Sequence, residues 1–306
     1  MPMKRIFTLF FLFSALGSYA QFKWDFGGGL GVANILGEMG GDELTRRDFI
    51  ADIKLRQTRW AVQGFARYKL HPNVLIKGEI TYARLEGADS LSSNPGRKGR
   101  NLHFRNDMVE LSVKGEYVFY EISDLGRSYR FRNDLRCYMF IGAGGIYHSP
   151  KANYQGSWVP LQPLRTEGQS KPYSRLQFVI PAGAGLYFTI KKQHRIGWEL
   201  GWRTTFTDYL DDVSTVYADP STLPNATSIA LANQYSPSFA NDPSYPHANN
   251  YSPGSKRGDP THNDSYLFST FNYSYVIKGR SKFSKSRYSS YFKSRKYKKR
   301  KVRAKF

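Results

Sequence analysis

From Ile196 onward, alternate positions are apolar or large: Ile196, Trp198, Leu200, Trp202 and then Phe206. Gly197, Glu199, Gly201, Arg203 and Thr205 stand between them. A period of two means a β-strand with one apolar and one polar face. The same alternation recurs near 22–33, 60–70, 74–82, 109–119, 135–147, 176–190 and 266–277, so eight strands are predicted. The clearest sets Val109, Leu111, Val113, Tyr117 and Phe119 against Glu110, Ser112, Lys114 and Glu116. His71-Pro72-Asn73 reads as a tight turn between the second and third strands, because proline and asparagine favour turn geometry.

The connections alternate in length. Those after the first, third, fifth and seventh strands are long, and those after the second, fourth and sixth are short or moderate. Short turns at one end and long loops at the other mark an outer-membrane barrel. The expected fold is therefore all-β: an eight-stranded antiparallel up-and-down transmembrane β-barrel with long extracellular loops and both termini periplasmic. A barrel this narrow is filled by its own side chains. The polar row (Lys77, Glu79, Glu110, Lys114, Glu116, Glu199 and Arg203) is then expected to pair inside the lumen. A soluble barrel would reverse the two faces.

Composition supports the membrane reading. Aromatics make up 16% of the residues, with 22 Tyr and 21 Phe, yet mean hydropathy is only −0.54. Alternation dilutes hydrophobicity in membrane strands, and aromatics gather at both interfaces. Lys4 and Arg5, the apolar run Ile6 to Leu16, and Ser18-Tyr19-Ala20 read as a signal peptide over 1–20. A barrel over 21–278 and a tail over 279–306 follow. No later stretch approaches the roughly 18 uncharged apolar residues of a membrane helix. Cys137 is the only cysteine, so no intramolecular disulfide forms and a cysteine metal site is not expected.

Candidate chemistry is sparse. His148-Ser149 stands where the fifth strand meets a long loop, but no third group completes a hydrolase site, and no enzyme activity is expected. Thr207-Asp208-Tyr209-Leu210-Asp211-Asp212 follows the seventh strand, and its carboxylates could bind calcium. The spacing lacks the glycine and final glutamate of an EF-hand, so loop anchoring is the preferred role and no metal or cofactor is expected. The stretch 211–264, rich in Ser, Pro, Asn, Asp and Tyr, has no core-forming pattern and is expected to be unstructured. The net charge of +21 is concentrated in 279–306, which holds thirteen Lys or Arg and no acid. Arg287, Lys293, Arg295, Lys296, Lys298, Lys299, Arg300, Lys301 and Arg303 are its candidate contacts to an acidic protein, peptidoglycan or anionic lipid. An exported chain meets little nucleic acid, so none is expected as partner.

Several motifs resemble the PorG-like outer-membrane barrels of Bacteroidota. These are LGEMGGD (36–42), KLHPNVLIKGEITYARLEGAD (69–89), FRNDMVELSVKGEY (104–117), FIGAGGIYHSPKA (140–152) and IGWELGWRTTFTDYLDDVSTVY (196–217). The resemblance implies a non-enzymatic component of the type IX secretion and gliding machinery. Its implied partners are outer-membrane lipids, the periplasmic ring lipoprotein and that lipoprotein's soluble partner subunit. The alternative is a small channel or surface-binding barrel.

Overall fold

Closing a sheet on itself pairs both edges of every strand in the ring. The computed structural model describes residues 24–37, 39, 55–123, 133–235 and 248–277. Among these residues ten strands occur in chain order: β1 (Trp24–Leu36), β2 (Arg59–His71), β3 (Val74–Ala88), β4 (His103–Ile122), β5 (Asp134–Tyr147), β6 (Pro150–Tyr154), β7 (Ser157–Pro160), β8 (Leu176–Ile190), β9 (His194–Thr205) and β10 (Ser265–Val276). Eight form the ring, in the order β3-β2-β1-β10-β9-β8-β5-β4, and pairing of β3 with β4 closes it. All of these pairings are antiparallel. The eight predicted strands are the eight staves of this closed barrel.

The apolar side faces out. Leu30, Leu111, Ile141 and Phe271 are 65% to 68% exposed, whereas Glu199 and Arg203 on the opposite face are 2% and 1% exposed. A soluble barrel would show the reverse. On β3 the outward apolar row runs from Val74 to Tyr82, opposite Tyr117 to Val109 on β4, and the next outward pair is Arg84 with Asp107. That span matches the roughly 9–11 residues of a tilted membrane strand. Aromatic pairs stand near both ends: Trp24 with Tyr68 at 4.8 Å near the short turns, and Trp60 with Tyr82 at 5.3 Å near the long loops. Among the described residues, no helix is long and apolar enough to cross a membrane.

The long-loop end departs from the sequence reading. β3 and β4 continue past the apolar band to Ala88 and His103, shortening the long connection expected after the third strand. That loop also holds a short helix, α1 (Pro95–Arg100), whose Asn94 side chain accepts from the Arg97 amide at 3.2 Å. The stretch between Ser149 and Tyr173 contains the β6–β7 hairpin. β6 takes over from β5 along β4, pairing Asn106 with Pro150 and Arg105 with Lys151.

The expectation that 211–264 is unstructured is corrected for its described parts. Residues 211–235 and 248–264 fold over the barrel mouth and include a helix, α2 (Ala226–Ala232). Leu210, Val213 and Leu231 join Leu161, Leu164, Phe104 and Phe268 in one buried apolar cluster. The segment has a core, but its few apolar residues are irregularly spaced. The signal-peptide stretch 1–20, most of 38–42 and the tail cations from Arg287 to Arg303 lie outside the described residues.

Candidate functional site

Inward residues of neighbouring strands share the lumen, so charges of both signs meet there. Lys77, Glu79, Glu110, Lys114, Glu116, Glu199 and Arg203 are all buried. Lys77 Nζ lies 2.5 Å from Glu79 and 2.8 Å from Glu199, and Lys114 Nζ lies 2.6 Å and 3.0 Å from the same two carboxylates. Arg203 reaches Glu79 at 3.6 Å and Glu110 at 3.4 Å. Tyr138 donates to Glu199 at 2.9 Å and Tyr266 to Glu110 at 2.8 Å.

Glu116 pairs with Arg67 over the intervening β3 at 2.8 Å. Arg67 also reaches Asp25 at 3.2 Å, and Arg195 pairs with Asp25 as well. Asp25, Arg67 and Arg195 were not singled out from the sequence. Their signal was available, since Asp25 and Arg67 share the inward parity of Gly27 and Gln63. With them the cluster holds five cations and five carboxylates, a neutral set. Neutrality matters because an uncompensated charge in a poorly hydrated lumen costs several kcal/mol, of the order seen when one partner of a buried pair is lost. Aromatic faces cover the cations: Phe65 lies 4.5 Å from Lys77, Phe140 4.8 Å from Lys114 and Phe268 4.3 Å from Arg203. Near the short-turn end a cavity of about 10 Å³, lined by Phe65, Arg67, Tyr138, Tyr187 and Arg195, has room for about one water.

Above the lumen, the segment 207–212 ties the loops together. Thr207 O accepts from the Asp264 amide at 3.0 Å, and the Leu210 amide donates to Asp264 Oδ2 at 3.0 Å. Leu210 O accepts from Asn106 Nδ2 at 2.8 Å, which fixes the segment to β4. Asp211 Oδ1 accepts from the Val213 amide at 3.0 Å, an Asx turn. Asp208 is buried, and Tyr209 stacks on Tyr173 at 4.8 Å. Asp212 sits at φ 67° and accepts from Thr166 and Tyr173, with Arg257 3.7 Å away. Burial, partly offset by Arg257, pushes its carboxyl up to about 7.

Arg257 also binds Glu167 at 2.8 Å, and Glu167 accepts from the Ser214 and Thr215 amides at 2.8 Å and 3.1 Å. The Arg100 guanidinium grips Asp89 through two nitrogens at 2.7 Å and 2.9 Å and donates to Arg257 O at 2.6 Å. Three loops are thereby locked into one cap.

His148 is fully buried, with its ring parallel to Tyr173 at 6.2 Å, and burial lowers its imidazole to about 4. The neighbouring Ser149 amide donates to Asn106 Oδ1 at 2.9 Å. This pair packs the base of the cap. Among the described residues, no group of three His, Cys, Asp or Glu is arranged to hold a metal ion.

Comparison with known proteins adds little on activity. No curated protein matches the chain. Among solved structures, the N-terminal β-barrel domain of Pseudomonas aeruginosa OprF is 10% identical, with a TM-score of 0.33, covering 85% of this chain and 100% of that one. Ail, the attachment invasion locus protein of Yersinia pestis, solved with the heparin analogue sucrose octasulfate, is 9% identical, with a TM-score of 0.36, covering 83% and 99%. The model of a family described as a domain of unknown function, DUF6089, matches residues 3–223, and the chain belongs to that family.

Proposed function

We propose that this chain is an outer-membrane barrel with a filled interior that acts as a non-enzymatic anchor and docking component of the type IX protein secretion machinery. The observation that carries the membrane half is the inversion of faces: exposed leucine, isoleucine and phenylalanine outside, and paired ions of both signs inside. Such an exterior is stable in hydrocarbon and unfavourable in water. The docking half is supported by the sequence motifs that resemble the PorG-like barrels and by the thirteen cations of 279–306. A tail of that charge suits a partner with an acidic surface.

The alternative of a small channel is opposed by the Lys77–Glu79–Lys114–Glu199 contacts across the lumen. The alternative of a surface-binding barrel is favoured by one observation, the ordered cap at the long-loop end. Crosslinking in intact cells separates the readings. Ring subunits captured by the full chain, and lost when 279–306 is deleted, are the expected result. Undiminished capture without the tail would remove the tail from the proposal, and capture of no ring subunit by the full chain would remove the docking role.

A further inference from the structure

The outer face of the barrel wall changes character sharply above the apolar band on one side. Tyr82 and Val109 are the last apolar pair there, and Arg84 and Asp107 follow directly above, bonded at 2.6 Å. Arg105 reaches the same Asp107 at 3.5 Å, so one carboxylate serves two guanidiniums. Arg59 pairs with Glu86, and the Arg56 carbonyl accepts from Arg59 at 3.2 Å, which brings a further exposed arginine close. Across the ladder from Arg105 stands Lys151, with which no carboxylate pairs among the described residues. Five cations thus stand around two carboxylates: Arg84, Arg105 and Lys151 on β3, β4 and β6, and Arg56 and Arg59 at the turn that leads into β2.

This patch is built into the interface. The Arg84 guanidinium lies 5.7 Å from the Trp60 ring, in the aromatic belt. The Arg105 guanidinium lies 4.3 Å from the Trp158 ring on the β6–β7 hairpin. Stacking holds planar donors in place and leaves their edges available for phosphate oxygens. On the β8–β9 side the outward row carries no charge at its outer end, where Leu176, Thr204 and Phe206 are exposed. The cations therefore mark one sector of the rim.

We propose that this sector binds the phosphate groups of an outer-leaflet lipid whose acyl chains lie along the apolar row below. The inference rests on the membrane reading above and is independent of the secretion role. A phosphate here meets Arg84, Arg105 and Lys151 at the boundary of hydrocarbon and water, where charge attraction is less screened than in bulk.

The test uses the full chain in phosphatidylethanolamine nanodiscs, with and without lipid A carrying two phosphates. Native mass spectrometry counts the lipid retained. Combining Arg84→Gln, Arg105→Gln and Lys151→Gln is expected to weaken retention about tenfold or more, the scale of one charge-assisted bond. Lys151→Gln alone, which breaks no ion pair, gives a smaller loss in the same direction. Lys191→Gln with Lys192→Gln, at the opposite rim, leaves retention unchanged. Equal retention by the triple variant and the unaltered chain would overturn the proposal. So would equal loss from the opposite-rim variant, which means unspecific charge, or full competition by inorganic phosphate, which means a free-anion site. A chain that never enters the nanodisc would instead sink the membrane reading.

Discussion

Glu199 accepts from Lys77, Lys114 and Tyr138 in a lumen almost closed to water. Removing it strands two ammonium groups, so Glu199→Leu is expected to cost about 3–5 kcal/mol. Urea unfolding in bilayers measures this, and a loss below about 1 kcal/mol would show that water reaches the site. Two cap residues titrate in opposite senses. Folding raises Asp212 from 3.8 to about 7, so the folded chain holds the extra proton between those values and stability falls as pH rises through them. Folding lowers His148 from 6.5 to about 4, so stability is lost as pH falls through that window. Asp212→Asn should therefore leave a cap whose resistance to proteolysis rises with pH between 4 and 6.5, and His148→Phe a cap whose resistance falls. Identical pH profiles for the two variants would refute this pairing.

At the scale of elements, strands with large inward rings need small neighbours. β5 turns Tyr138 and Phe140 inward, and β8 answers with Gly185 and Gly183. A Cβ at Gly185 would lie 2.5 Å from the Tyr138 hydroxyl, and one at Gly183 would lie 2.7 Å from Phe140. Gly185→Ala is expected to displace Tyr138 from Glu199 and cost about 1–3 kcal/mol, readable as a lower midpoint of thermal unfolding. An unchanged midpoint would mean that the ring moves freely. All eight staves were legible from the sequence, because burial of one face imposes a period of two on every strand. The cap was not. Asp89, Arg100, Asp211, Asp212 and Arg257 are buried there, and residues of those types normally mark exposed loops. Side-chain and backbone hydrogen bonds hold the cap as much as its apolar cluster does, and such bonds leave no periodic trace. Arg195 escaped for another reason: it stands at the start of its strand, just before the alternating run that begins at Ile196.

For the whole molecule, the decisive contrast is between hydrocarbon and water around the band. Val113 is outward and midway along its apolar row on β4. In lipid, Val113→Arg is expected to cost about 2–4 kcal/mol, against roughly 0.5 kcal/mol or less at an ordinary solvated surface. Equilibrium folding into vesicles decides between them. Planar bilayers holding the full chain should show no steady ion current, since the lumen ions occupy its cross-section. A stable conductance would reopen the channel alternative.

The ring is sealed by its first and last staves, with Asp25 opposite Val276 and Leu36 opposite Ser265. A polypeptide made from its N-terminus thus holds β1 well before the segment that completes it. During that interval a long, sticky border with unanswered amide and carbonyl groups stands open to any extended neighbour. The border is masked only when the last stave pairs with it. A chain cut short before Ser265 would keep the border exposed permanently and would aggregate instead of inserting.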